Sequence, residues 1–325
     1  MASYRSTVPH LHLTRDSRIL FQNLTGRAAT MHARLSVRTG RTNLVAGTSA
    51  KQAGGTHDEF GVPLFASVRE AKRHTRIDAT AVFVPPVSAA DAIIEAIAEE
   101  IPLVVAVAEG IPTRDQMLVM SALQSQSKSR LLGANSPGYT SPYGPRLGIA
   151  PVAAASRGCV GIAARSGTLS YEAMGATQAL GLGQSTVLGL GGDFYPGTRT
   201  DEALEFLLSD PATSGIILIG EVGGTMEEDT AAYLLSLPQP PFKPIVGFIA
   251  GRGVPSGRSY GHAGAVWNEG VGSAEAKREA WRRAGIRVVD TVGETAQAIK
   301  EEMDAMHCLP AEPDWEKRQA ATHSA

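Results

Sequence analysis

The sequence predicts an α/β protein built from two doubly wound parallel sheets. Short β-rich runs alternate with helical stretches along the whole chain, and several of those runs are almost continuously apolar. Strands buried on both faces under crossover helices read as unbroken apolar runs, whereas half-solvated strands alternate. Glycine turns also recur where strands end and helices begin, the place where open parallel sheets bind their ligands.

In the first half, Ile19–Asn23 reads as a strand, and Thr25-Gly26 turns into a helix ending near Gly40. Asn43–Ala46, Thr80–Val84 and Leu103–Val107 supply further strands. Ser88 is placed to cap a helix Ala89–Glu100, and Pro102 restarts the extended chain. The stretch Gly133 to Ser156 is rich in glycine, proline and alanine and reads as a domain boundary. A second series follows, with strands at Val160–Ala163, Thr186–Leu190, Gly215–Ile219, Pro244–Ile249 and Ile286–Val289. Helices fall between them, near Leu169–Leu180, Asp201–Leu208, Glu227–Leu235 and Ala274–Ala284. The expected organisation is therefore a domain over 1–150, a second over 151–307 and a polar, poorly periodic tail over 308–325.

Composition narrows the function classes. The chain has 325 residues, 43% hydrophobic and 19% charged, an ordinary globular balance that argues against long disorder. A formal net charge of −2 gives no general attraction to nucleic acid or to an anionic membrane, so neither is an expected partner. Cys159 and Cys308 are too few for a disulfide scaffold or a cysteine-rich metal site, and Cys159 lies in an apolar run that suits a core. No metal site is expected. No apolar stretch reaches the roughly 20 residues that span a bilayer. Arg5, Arg15 and Arg18 near the N-terminus accompany no apolar signal core, and the first strand begins near Ile19. A cytoplasmic protein is expected, although a mitochondrial matrix protein already trimmed of its presequence would read the same.

His262 is the most informative residue. It sits in Ser259-Tyr260-Gly261-His262-Ala263-Gly264-Ala265, beyond the glycine- and proline-rich run Ala250 to Gly257. Flanking glycines leave room for a bulky group on the ring, and their N–H groups can turn toward an anion. A histidine of near-neutral pKa can attack phosphorus and release the phosphoryl group again. Alone, the segment reads equally as a histidine capping a glycine loop. Three other segments shift the balance. Arg165-Ser166-Gly167-Thr168 follows a strand and opens a helix, so Ser166, Gly167 and Thr168 suit a phosphate, or simply an N-cap turn. Gly189-Leu190-Gly191-Gly192-Asp193 follows the next strand, and Gly220-Glu221-Val222-Gly223-Gly224 the one after. Glu221 can orient a histidine ring and support its positive charge, or remain a solvated loop residue.

These segments together resemble the alpha subunit of succinyl-CoA ligase. The likeness continues in order through Thr25-Gly26, Val84-Pro85-Pro86, Glu109-Gly110-Ile111-Pro112 and Asn135-Ser136-Pro137-Gly138, from about Ile19 to beyond Val292. The resemblance implies a Rossmann-like CoA-binding domain followed by a flavodoxin-like ligase domain. It implies a reaction that interconverts a carboxylate, CoA and ATP or GTP with acyl-CoA, nucleoside diphosphate and phosphate. In that scheme His262 carries the phosphoryl group, Glu221 orients it, and Ser166, Gly167, Thr168 and Gly261 hold the phosphate. Thr25, Gly26, Arg27, Ala28, Lys51, Val84, Pro85, Glu109 and Asn135 bind CoA. The nucleotide and its Mg2+ belong mainly to a separate beta subunit of ATP-grasp fold, in a heterodimer or heterotetramer. Nothing in this chain resembles that fold or a Walker A loop.

The CoA side departs from the family pattern while the phosphohistidine side does not. The usual Thr-Gly-Lys-Gln-Gly-Thr is here Thr25-Gly26-Arg27-Ala28-Ala29-Thr30. Ala28 lacks a hydrogen-bonding amide, and Ala29 is expected to add a methyl where backbone should approach the ligand. The usual Pro-Gly-Lys-Gly-Gly aligns with Ala50-Lys51-Gln52-Ala53-Gly54, and Pro-Asn-Cys-Pro-Gly with Ala134-Asn135-Ser136-Pro137-Gly138. The expectation is a ligase acting on succinate or a related dicarboxylate with a weakened CoA site. The alternatives are a citrate- or malate-activating relative and a non-catalytic paralogue that regulates a ligase beta subunit. A dehydrogenase is disfavoured, because the first turn lacks a full Gly-x-Gly-x-x-Gly.

Overall fold

The computed structural model describes residues 3–268 and 272–310. It divides into two compact units. The first runs to Val152 and takes in Tyr195–Thr198; the second comprises Ala153–Phe194 and the chain from Arg199 onward. Most of the tail over 308–325 lies outside the described residues.

The first unit opens with a 3-10 segment, Tyr4–Leu11, and then alternates strand and helix. Its elements are β1 (Arg18–Gln22), α1 (Arg27–Arg38), β2 (Asn43–Thr48), β3 (Leu64–Phe65), α2 (Val68–His74), β4 (Ala79–Val82), α3 (Pro86–Ala98), β5 (Leu103–Ala106), α4 (Thr113–Gln124) and β6 (Arg130–Leu132). The six strands are parallel in the order β3-β2-β1-β4-β5-β6, the doubly wound arrangement with its crevice where the order reverses at β1 and β4. Helix packing on the sheet buries Ile93, Ile97, Val104 and Leu123, each worth about 1.5–3 kcal/mol of removed apolar surface.

Two departures from the sequence reading are instructive. Helix α3 starts at Pro86, with Pro85 as its N-cap, and Ser88 lies inside the first turn. Proline suits the first helical position because its missing N–H would be unsatisfied there anyway, so no serine cap is needed. The stretch read as a boundary holds an antiparallel hairpin, β7 (Gly138–Thr140) with β8 (Arg146–Gly148). It forms because two glycine backbones approach closely: a Cβ on Gly138 would sit 2.0 Å from the Leu147 carbonyl oxygen. Buried Arg146 fastens it to α1, donating to Ser36 Oγ at 3.0 Å and the His32 carbonyl at 3.3 Å.

The second unit comprises β9 (Arg157–Ala164), α5 (Gly167–Ala179), β10 (Gln184–Gly189), α6 (Thr200–Ser209), β11 (Gly215–Glu221), α7 (Met226–Ser236) and β12 (Ile245–Ala250), then the hairpin β13 (Ser259–Tyr260)/β14 (His262–Val266), α8 (Ala274–Arg283), β15 (Arg287–Val288) and α9 (Glu294–Ala305). Its five parallel strands stand in the order β15-β12-β11-β9-β10, the flavodoxin-like arrangement whose switch point falls between β9 and β11. Val160, Ile162, Ile217, Met174 and Ile299 form its core. No helix among the described residues is long and apolar enough to cross a membrane.

Trp281 is the largest fully buried side chain among the described residues. Its ring lies over Gly247, where any Cβ would come within 2.4 Å of it, and its Nε1–H donates to the Glu227 carbonyl at 2.8 Å. Trp281→Ala is therefore expected to cost about 3–5 kcal/mol in a urea unfolding titration. A loss below about 1 kcal/mol would show that the site collapses around the missing ring, a cost more typical of an exposed position.

Candidate active site around His262

The carboxyl ends of β9 and β11 flank the switch point of the second sheet, and the phosphate-suited segments lie there. Ser166 ends the turn after β9 and caps α5, its Oγ accepting from the Leu169 N–H at 3.5 Å. Gly167 is the first residue of α5, and Thr168 is exposed with its hydroxyl 3.4 Å from that of Ser166. The first-turn N–H groups of such a helix, together with its dipole, favour an anion. Glu221 is the last residue of β11 and is buried, which disposes of the solvated-loop alternative.

His262 opens β14, after a turn in which Gly261 has φ 82°, a left-handed conformation that favours glycine. The hairpin is held against the strand-end loops by backbone contacts. The Gly264 N–H donates to the Gly192 carbonyl at 3.0 Å, and a Cβ on Gly223 would meet the Gly264 oxygen at 2.4 Å. The imidazole is a quarter exposed, and its Nδ1 lies 2.6 Å from Glu221 Oε2. An ionised carboxylate can only accept, so Nδ1 is the donor, and in the neutral ring the lone pair then lies on Nε2. Gly192 underlies the ring: a Cβ there would stand 2.4 Å from His262 Cγ and 2.6 Å from Nδ1.

Behind Glu221 stand residues whose part in the site the sequence reading did not anticipate. Arg165 Nη2 lies 3.0 Å from Glu221 Oε1, and Arg165 Nη1 lies 3.4 Å from Glu227 Oε1. Lys277 pairs with Glu227 and, at 3.0 Å, with Glu228. Burial pushes the Glu227 carboxyl up, but the charges of Lys277 and Arg165 and the hydrogen bonds from Lys277 and the Glu221 N–H outweigh it and hold the group below the usual carboxylate range. Glu227 thus contributes stability at neutral pH that is lost as pH falls through its depressed value. Sequence spacing gives no sign of this: 50 residues separate Lys277 from Glu227, and a lysine in a charged helix reads as solvated.

The remaining sequence candidates lie in the first unit, each beside the carboxyl end of a strand. Thr25, Gly26, Arg27 and Ala28 follow β1, Lys51 follows β2, Val84 and Pro85 follow β4, Glu109 follows β5 and Asn135 follows β6. Hydrogen bonds knit neighbouring turns: Thr25 Oγ1 to Ser49 Oγ at 2.8 Å, Asn23 Nδ2 to the Phe83 carbonyl at 3.0 Å, and the Asn135 N–H to the Ala108 carbonyl at 2.9 Å. Gly26 caps α1 and leaves no side chain over its first turn. Arg27, Ala28 and Lys51 are exposed. One expectation fails: the Ala29 methyl is buried inside the unit, so it does not obstruct a ligand at the turn. The described residues hold no group of three or more His, Cys, Asp or Glu side chains arranged for a metal ion.

Fold and site define a two-unit α/β protein of the CoA-ligase type. The family described as CoA-ligase matches residues 164–287, and the CoA binding domain family matches residues 14–110. The chain is 40% identical over 291 residues to the alpha subunit of an ADP-forming succinate–CoA ligase of Aquifex aeolicus, covering 88% of this chain and 93% of that one. It is also 40% identical over 296 residues to a mitochondrial alpha-2 subunit of the same description from Trichomonas vaginalis, covering 91% and 94%. The chain belongs to the succinate–CoA ligase alpha-subunit family, a family of acid–thiol ligases. In fold it is similar to an ATP citrate lyase of Methanothrix soehngenii, solved with citrate and coenzyme A, at TM-score 0.81 and 23% identity. That likeness covers 97% of this chain but only 56% of the longer enzyme.

Proposed function

We propose that the chain is the alpha subunit of a nucleoside-triphosphate-dependent carboxylate–CoA ligase acting on succinate or a related dicarboxylate, with His262 as its phosphoryl carrier. The observation that carries this reading is the 2.6 Å contact between His262 Nδ1 and Glu221, which in the neutral ring leaves the lone pair on Nε2. In the acyl-forming direction, Nε2 gives its phosphoryl group to the carboxylate: the N–P bond breaks as a P–O bond forms. The CoA thiolate then attacks the acyl carbon, forming the C–S bond and releasing phosphate. While Nε2 bears the phosphoryl group, Glu221 supports the positive character of the ring. Ser166, Gly167, Thr168 and Gly261 supply the donors that hold the phosphoryl oxygens.

Recharging His262 needs a nucleoside triphosphate. We assign the nucleotide, ATP or GTP with Mg2+, to a beta subunit of ATP-grasp fold. The isolated chain is accordingly expected to form no acyl-CoA from nucleotide, acid and CoA, and to form it once that partner is added.

CoA is assigned to the turns of the first unit. The first turn of α1, which no side chain caps, offers N–H donors to a diphosphate, and exposed Arg27 and Lys51 offer charge. Ala28 offers nothing where an amide side chain would donate. Calorimetric titration is expected to show Arg27→Ala or Lys51→Ala weakening CoA by about 1.5–3 kcal/mol, the worth of a hydrogen bond to a charged group. Ala28→Gln should tighten it. A chain that binds no CoA with or without Ala28→Gln would remove CoA from this unit.

A further inference from the structure

The Glu221 carboxylate that meets His262 is one end of a buried chain of alternating charges. Arg165 bridges Glu221 and Glu227, Lys277 closes on Glu227 from the other side, and Glu228 adds a partly exposed carboxylate at 3.0 Å from Lys277. The side chains of Glu227 and Lys277 are wholly buried, and Arg165 is nearly so. The Glu221 N–H donates to the same Glu227 oxygen that meets Arg165, at 3.1 Å, and Trp281 donates to the Glu227 carbonyl at 2.8 Å. For stability alone such a chain is a poor device, because well-packed apolar residues of similar volume serve as well or better. Its ending on a reactive imidazole calls for another role.

We propose that Glu227 and Lys277 are positioning residues for His262: they hold Arg165 between two carboxylates, so that Glu221 keeps one oxygen on Arg165 and presents the other to Nδ1. The proposal rests on the reading of His262 as the phosphoryl carrier. Because Arg165 is shared, it neutralises Glu221 only in part, and Glu221 retains the charge that holds the imidazole in its Nδ1–H tautomer. Without the charge on Glu227, Arg165 turns wholly to Glu221 and weakens its hold on the ring. Without the charge on Lys277, Glu227 draws Arg165 away, and Glu221 acts on the ring with its full charge. Asp193, buried in the loop after β10 with its backbone oxygen 3.1 Å from where a Cβ on Gly264 would stand, is a further charged group at this end, and these substitutions leave it unchanged.

The two substitutions therefore move the ring in opposite directions. The full chain labelled in its histidine rings is titrated by NMR, with the His262 signal identified by its loss in His262→Asn. Glu227→Gln is expected to lower the pH midpoint of that ring and Lys277→Met to raise it. Each shift should be roughly half a pH unit or more, from the Coulomb energy of charges at this range in a partly screened interior. Lys277→Arg should bring the midpoint back toward the wild type. Folded variants that leave the midpoint in place, or move it the same way, overturn the proposal. Where Lys277→Met does not fold, the Glu227→Gln shift decides alone: downward supports the proposal and no movement overturns it. Phosphate uptake by the same proteins, measured with the partner subunit, nucleoside triphosphate and Mg2+ supplied, keeps the two readings apart. Opposed shifts in a chain that takes up no phosphate leave the positioning network standing and remove the carrier function.

Discussion

Replacing His262 by asparagine is expected to lower acyl-CoA formation by the complete enzyme by at least about 10⁴-fold, as the loss of a covalent carrier does in other enzymes that work through one. Asparagine keeps a polar group at the start of β14 and can donate to Glu221, so the hairpin and the strand-end loops should stand. What disappears is the nucleophilic nitrogen. The Michaelis constant for the acid and the affinity for CoA should change little, because neither is bound by the ring. A fall of less than about tenfold, in protein that melts like the wild type, would mean that phosphoryl transfer bypasses His262.

The second large effect is expected from a single methyl group. A Cβ on Gly192 would stand 2.4 Å from His262 Cγ and 2.6 Å from both Cδ2 and Nδ1. Two carbons cannot approach so closely, and the flanking backbone is pinned by the bond from the Gly264 N–H to the Gly192 carbonyl. The ring must move, and the Nδ1 contact with Glu221 breaks. Gly192→Ala should therefore keep the fold yet lose about 10²-fold or more in phosphorylation rate, the usual consequence of a misplacement near 1 Å. Gly175, within α5, provides the contrast: a methyl group added there would meet nothing within 4 Å. Gly175→Ala should leave the rate unchanged and stabilise the helix by up to about 1 kcal/mol. Equal rates in the two variants would show that ring placement does not limit transfer.

Much of this architecture was legible because the strands are buried on both faces and carry continuous apolar runs. Val160–Ala163 and Gly215–Ile219 lie within β9 and β11, and the glycine turns mark where those strands end. The elements that escaped depend on other physics. The β7–β8 hairpin rests on glycine backbones in mutual contact and on Arg146 reaching back to α1, and neither leaves a periodic trace. Helix α3 begins two residues before Ser88 because proline supplies the helical φ, so a search for polar caps overlooks it. At the site, His262 and Glu221 announced themselves through their glycines. Arg165 was visible only as part of a turn, and Lys277 only as one charge among many on an amphipathic helix. Its complete burial is a property of how α8 packs beside α7, which local sequence does not encode. The same limit explains Ala29, which is buried and so presents no exposed methyl at the turn.

The central claim is that Nε2 of His262 carries the phosphoryl group while Nδ1 is held by Glu221. Phosphorus NMR and peptide mass analysis of the chain, phosphorylated by its partner subunit with nucleoside triphosphate and magnesium, test it together. The account predicts one acid-labile, base-stable phosphoryl group, on the peptide containing His262, with the signal of an Nε2-linked phosphohistidine. Phosphate on another residue, on Nδ1 of the same ring, or persisting undiminished in the His262→Asn protein would contradict it.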